Sequence, residues 1–156
     1  MVKGGVAERV ANNNDKVCVL GETVWAPSVH APTIGCRFFI HQMESWMYLG
    51  LVNEATAVEK GFFKSAWSKL GHGHYAVYSG GGTYSHSDER ANEKNSMLKF
   101  KAGDTIEMKL DTKSMMLRVA CQGKDCTLQL AHPTGKDRYR MVVYLNDKGD
   151  SVELIG

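Results

Sequence analysis

Thr105-Ile106-Glu107-Met108-Lys109-Leu110-Asp111 alternates apolar and polar side chains without a break. Ile106, Met108 and Leu110 fall on one side, with Glu107 and Lys109 on the other. That is the period-2 signature of a half-buried β-strand. Asp111-Thr112-Lys113-Ser114 then has turn chemistry. Met115 to Ala120 alternates again, Gln122-Gly123-Lys124-Asp125 makes a second turn, and Cys126 to Ala131 places Leu128 and Leu130 inward. Residues 105–131 therefore read as a three-stranded antiparallel meander.

The same pattern extends downstream. His132 to Asp137 reads as a loop, and Tyr139 to Leu145 as a strand with Tyr139, Met141, Val143 and Leu145 on one face. Asn146 to Asp150 is a polar connection of hairpin length, and Val152 to Leu154 a short last strand. Upstream, residues 1–15 are small and polar and read as a flexible lead-in to a domain spanning 16–156. Lys16 to Leu20 and Cys36 to Met43 read as strands. Trp46 to Val52 is apolar on both faces, which suggests a central strand. The stretch from Trp25 to Pro32 holds Pro27 and Pro32, each lacking a backbone donor, so it is no interior strand. Val58, Phe62, Ala66 and Leu70 recur at helical spacing, with Gly61 interrupting them. A short helical turn is expected near Ala55 to Glu59, and a strand at Tyr75 to Tyr78.

About ten short strands with turn signals between them, and no strand–helix alternation, make an all-β antiparallel sandwich or barrel. Composition agrees. The chain has 156 residues, 43% hydrophobic and 23% charged, with 16 Gly against 3 Pro. A length of this order supports one domain with its own core. The formal net charge of +2 creates no field calling for nucleic acid or an anionic membrane. No run of apolar residues is long enough to span a bilayer. Four Cys in this length do not form a disulfide framework, so a reduced, cytoplasmic domain is expected, and a monomer is expected as well.

Candidate chemistry is sparse. His72 and His74 stand at i, i+2 and could offer one face of a strand to a metal. No Cys or carboxylate lies at ligand spacing beside them, so surface histidines and no metal are expected. Cys121 and Cys126 bracket a turn and read as small, half-buried strand residues. Gly71-His72-Gly73-His74 lacks the strand–turn–helix setting of a dinucleotide site, and Gly80-Gly81-Gly82 lacks the Lys-Ser or Lys-Thr of a phosphate loop. Glu107 and Asp111 share a polar strand face with Lys109, a solvated pattern. No coherent catalytic set emerges, and a non-enzymatic domain without cofactor is expected. Trp46, Tyr48, Phe38 and Phe100 read as core. Trp25 and Tyr84 stand in Pro-rich or Gly-rich surroundings. They fit either a partner-binding anchor or packing on the sandwich edge.

The order of segments resembles an SPRY domain. Trp46-Met47-Tyr48-Leu49-Gly50-Leu51-Val52 is similar to the family strand that ends in a large apolar residue, Gly and Val. Ser65-Ala66-Trp67 through Tyr75 to His86 is similar to its Ser-Trp … Tyr … Gly … Tyr-His segment. Phe100 to Asp111 is similar to its Phe-x-x-Gly-Asp-x-Ile-x-x-x-Leu-Asp signature. The Leu-Asp-Pro-Glu motif of the N-terminal PRY extension is absent, and Phe38-Phe39-Ile40-His41 stands where many members have Trp-Glu-Val. The resemblance implies a bent antiparallel β-sandwich of concanavalin A-like, SPRY jelly-roll type. It implies a protein-interaction module that binds a peptide segment or loop of a partner, as an adaptor or substrate-recognition domain such as those of ubiquitin-ligase assemblies. Carried over by position, it implies a site of loops at one end of the sandwich: Trp25, Pro27 and Ser28, then Tyr84, then Asn146. A lectin-type carbohydrate-binding sandwich is the alternative, since fold alone does not settle function.

Overall fold

A computed structural model describes residues 2–3, 6–9, 17–25, 32–61, 67–131 and 138–155. The strands in chain order are β1 (Val2–Lys3), β2 (Val6–Glu8), β3 (Val17–Trp25), β4 (Thr33–Gln42) and β5 (Met47–Asn53). After the helix α1 (Glu54–Lys60) come β6 (His74–Tyr78), β7 (Gly82–Ser85), β8 (Lys94–Asn95) and β9 (Thr105–Asp111). The chain ends with β10 (Met116–Cys121), β11 (Lys124–Gln129), β12 (Tyr139–Leu145) and β13 (Ser151–Leu154). They form a seven-stranded sheet in the order β1-β2-β13-β4-β9-β10-β11 and a six-stranded sheet in the order β3-β12-β5-β6-β7-β8. All pairings are antiparallel, and the two sheets face each other as a β-sandwich.

The alternating strands supply the core. Ile106, Met108 and Leu110 of β9 meet Leu117 and Val119 of β10, and all five are fully buried. Across the sandwich, Leu49 and Leu51 of β5, Tyr75 and Val77 of β6 and the odd-numbered residues of β12 close the same cluster. Glu107 stays on the solvated face, 2.8 Å from Lys109 Nζ. The turn into β9 needs Gly103, whose φ of +87° suits a residue without Cβ. The Asp104 carboxylate accepts the Lys101 N–H at 2.8 Å and pins that turn.

Several local expectations differ from the fold. Residues 2–3 and 6–8, read as part of a flexible lead-in, form strands, and β2 extends the sheet edge against β13. The connection from Asn146 to Asp150 is no hairpin: β12 belongs to the six-stranded sheet and β13 to the other, so the segment crosses between layers. Gly61 ends α1 rather than interrupting it. Its φ of 69° and its N–H bonds to the Ala57 and Val58 carbonyls make it a left-handed cap. At the other end the Asn53 side chain accepts the Thr56 N–H. Of the helical stripe, Val58 and Leu70 are exposed, because α1 is too short to present them to the core; Phe62 and Ala66 lie outside the described residues. None of the helices among the described residues is long and apolar enough to cross a membrane.

Candidate protein-interaction surface

The six-stranded sheet has two apolar faces, and the outer one carries the distinctive chemistry. Alternation on β5 sends Met47, Leu49 and Leu51 inward and Tyr48 and Val52 outward. In register with Tyr48 stand Tyr78 on β6 and Tyr144 on β12. One row further, Gly50 lies opposite Ala76 and Val142, with Tyr84 opposite Ala76. The small residues leave room above that row. Trp67 fills it, stacked on His74 at 4.1 Å and meeting the rings of Tyr48, Tyr84 and Tyr144 at 5.2 to 5.4 Å. Trp67 is buried and covers the end of the face nearest α1.

The other end is open. Trp46, Tyr48, Tyr78 and Tyr84 are each half-buried. Ring centroids separate Trp46 from Tyr48 by 5.0 Å, Tyr48 from Tyr78 by 5.2 Å and Tyr48 from Tyr84 by 5.4 Å. These four rings make a continuous aromatic platform. Burial, and the Tyr84 hydroxyl beside it, push the Tyr48 phenol upward, so it stays neutral. The Gly80–Gly82 turn borders the platform and abuts the 96–98 segment, where Met97 is 76% exposed.

A polar rim lies next to Trp46. Asn146 Nδ2 donates to Ser45 Oγ at 3.1 Å and to Asp147 Oδ2 at 2.9 Å, and the Ser45 hydroxyl also donates to Asp147. These bonds hold the Asp147 carboxyl below the usual carboxylate range, the Ser45 hydroxyl contributing most. The buried Asp150 carboxylate holds the loop together by accepting the N–H groups of Glu44, Asn146 and Asp147.

Two of the residues expected from sequence lie at separate places on this surface: Tyr84 stands on β7 level with Gly50, while Asn146 follows the end of β12 that pairs with Met47. Tyr84 is part of the platform and Asn146 part of its rim. Trp25 is elsewhere. It is the last residue of β3, pairs with Tyr139, and is 2% exposed in the inter-sheet core, so it offers no loop anchor. It pairs with one end of β12, whereas Asn146 follows the other end, about 20 Å away at strand rise. Pro27 and Ser28 lie outside the described residues. Trp46 and Tyr48, expected in the core, are the residues that sequence reasoning missed. The signal was present: Trp46 to Val52 is apolar on both faces, and only one face of a sheet meets the opposite layer.

The remaining polar groups have structural settings. His72 and His74, expected at the surface, are buried beside Trp67. Burial lowers their pKa values to about 4 and about 3. His74 Nε2 meets the Tyr144 hydroxyl at 2.5 Å, and His72 Nδ1 accepts the His74 N–H at 3.0 Å. Among the described residues no group of three or more His, Cys, Asp or Glu is placed to hold a metal. All four cysteines are free thiols. Burial pushes Cys18, Cys121 and Cys126 up to about 11 and Cys36 to about 12, the reverse of what an activated nucleophile needs. Cys121 pairs with Lys124 and Cys126 with Val119, so the two thiols do not face each other across the hairpin.

No protein-family model matches the sequence, and no curated protein matches it. Among solved structures, the chain superposes on the SPRY domain of human HERC1 with a TM-score of 0.66 at 13% identity, covering 99% of this chain and 90% of that one. It superposes on the TRIM65 PSpry domain with a TM-score of 0.55 at 12% identity, covering 89% of this chain and 69% of that one. The likeness is one of fold: this chain is a β-sandwich of the SPRY type, as its segment order implied.

Proposed function

We propose that this domain is a protein-interaction module and that the platform of Trp46, Tyr48, Tyr78 and Tyr84, with the Ser45–Asn146–Asp147 rim, receives an exposed segment of a partner protein. One observation carries the reading. Four aromatic rings stay half-exposed and contiguous on a sheet face whose other half is sealed by Trp67. Binding energy concentrates in such rings, which give large contact area at small cost in rotamer entropy. A polar rim beside an apolar centre is the usual anatomy of a recognition surface. The SPRY fold supports the same reading, since the resemblance implies an adaptor or a substrate-recognition element such as those of ubiquitin ligases. Four unpaired thiols suit a reducing compartment, and we place the domain in the cytoplasm.

The test is selection from a random peptide display library on the isolated chain. Captured peptides should lose about 2 kcal/mol or more of affinity on Trp46→Ala. They should be unaffected by Lys124→Ala on the far sheet. Equal affinity of the Trp46→Ala protein and the parent would remove the platform from the binding site.

A further inference from the structure

We propose that the partner segment presents an arginine to this platform, its guanidinium lying on the Trp46–Tyr48–Tyr78 rings and its N–H groups reaching the Asn146–Asp147 rim. The inference rests on the interaction reading above and deepens it.

Both donor contacts of Asn146 Nδ2 and the one of the Ser45 hydroxyl point inward, to Ser45 and Asp147. The side-chain capacity left over is acceptor capacity: Asn146 Oδ1 has no side-chain partner among the described residues, and the Asp147 carboxylate, which also accepts the Ser45 backbone N–H, keeps lone pairs to spare. A ligand group must therefore bring donors. Asp147 is ionised at neutral pH, because its bonds to Ser45 and Asn146 favour the charged form. Glu44, tied by its N–H to Asp150 in the same loop system, adds an exposed carboxylate. Of the cations on these segments, Arg9 is buried, donates to the Leu145 carbonyl and also acts through its charge on Asp147, and Lys148 stands exposed on the loop. The carboxylates of Glu44, Asp147 and Asp150 outnumber them.

The platform selects among donor-rich groups. Trp46, Tyr48 and Tyr78 lie within 5.0 to 6.3 Å of one another, with planes inclined by 38° to 75°, and all three are half-exposed. A cation over such faces is attracted by the ring quadrupole. A planar guanidinium can stack there and still direct its fork of donors at a neighbouring carboxylate, which an ammonium cannot do. An acidic segment would meet ionised Asp147 and a rim whose Asn146 and Ser45 side-chain donors are already engaged.

The test uses a capped pentapeptide of alternating glycine and arginine, and the same peptide with lysine, glutamine or glutamate in place of arginine. Binding is read from the Trp46 indole N–H resonance, assigned by its loss in Trp46→Phe. The arginine peptide should shift it saturably, with the lysine peptide weaker and the glutamine and glutamate peptides weaker by about tenfold or more. Asp147→Asn should weaken the arginine peptide by about fivefold, and Glu44→Gln, outside the rim network, should weaken it less. Glutamine or glutamate binding as well as arginine, or no shift with arginine, would overturn the proposal. The two readings separate in the display selection. Peptides that need Trp46 but carry no basic residue would leave the interaction surface standing and remove the arginine.

Discussion

The indole of Trp67 lies on the imidazole of His74, ring centroids 4.1 Å apart and planes 26° apart. That stack divides the outer face of the six-stranded sheet into a sealed half and an open half. Trp67 also meets Tyr48, Tyr84 and Tyr144 over the row where Gly50 and Ala76 leave space. His74 in turn reaches the Tyr144 hydroxyl, so the seal ties β6 to β12 across β5. The aromatic platform begins at the edge of that seal, where Tyr48 and Tyr84 touch Trp67, and runs on to Tyr78 and Trp46.

Removing the seal should therefore be costly. Trp67→Ala should destabilise the fold by about 3 kcal/mol or more, read from urea unfolding, because a large buried ring leaves a cavity walled by other rings. Trp67→Phe should recover part of the loss. A cost below about 1 kcal/mol for the alanine variant would show that the ring is not packed as described.

Acid should weaken the protein through His72 and His74. Burial is the first cause of their low pKa values, about 4 and about 3, and the nearby histidine charges add to it. The unfolded chain takes up these protons near pH 6.5, while the folded one resists. Stability should be full above about pH 6.5, fall as the pH drops below it, and level off once the folded-state values are passed. Thermal midpoints across that range check this. The double variant His72→Gln, His74→Gln should flatten the profile, and a parent profile already flat would refute the assignment.

Gly50 should tolerate no side chain. A Cβ there would lie 2.1 Å from the Tyr75 carbonyl oxygen and 2.6 Å from Ala76 Cα, both backbone atoms of the adjoining central strand. Gly50→Ala should cost about 3 kcal/mol, at the upper end for overpacking, since β6 cannot yield without disturbing its own pairing. Chemical denaturation of the variant measures it, and a neutral result would mean that β5 and β6 pair less closely than described.

Asp150 should govern the crossing loop. Its buried carboxylate accepts the N–H groups of Glu44, Asn146 and Asp147 at 2.7 to 3.0 Å. Asp150→Ala leaves three donors without their partner, each worth about 1–3 kcal/mol when buried. Hydrogen exchange should accelerate at the amides of Glu44, Asn146 and Asp147 well before it does at those of β9. Unchanged exchange at all three would contradict the network. Peptide affinity should fall with the loop, because the Asn146–Asp147 rim depends on it.

Much of the sandwich was legible in local pattern. The meander of β9 to β11, the inward set of Tyr139, Met141, Val143 and Leu145 and the central place of β5 all follow from period-2 alternation, which is a property of neighbouring residues. The site was legible only in part. Tyr84 and Asn146, expected close together, are separated by two strands, Tyr84 on β7 and Asn146 at the end of β12. Trp25 looked like a loop residue because prolines follow it, yet its pairing with Tyr139 carries β3 through to that position and turns the indole inward. Tyr48 and Trp46 looked like core because their strand is apolar on both faces, and His72 and His74 looked like surface because no Cys or carboxylate stands at ligand spacing beside them.

Alternation determines which side chains share a face of a strand. It does not determine what covers that face. Coverage of the outer face was decided by Trp67, at the far side of α1 in sequence, settling over Gly50 and Ala76. Trp67 stacks on both buried histidines, while four aromatic rings stay half in solvent. Covering a face is a matter of volume and of segments distant along the chain, and only the folded arrangement brings them together.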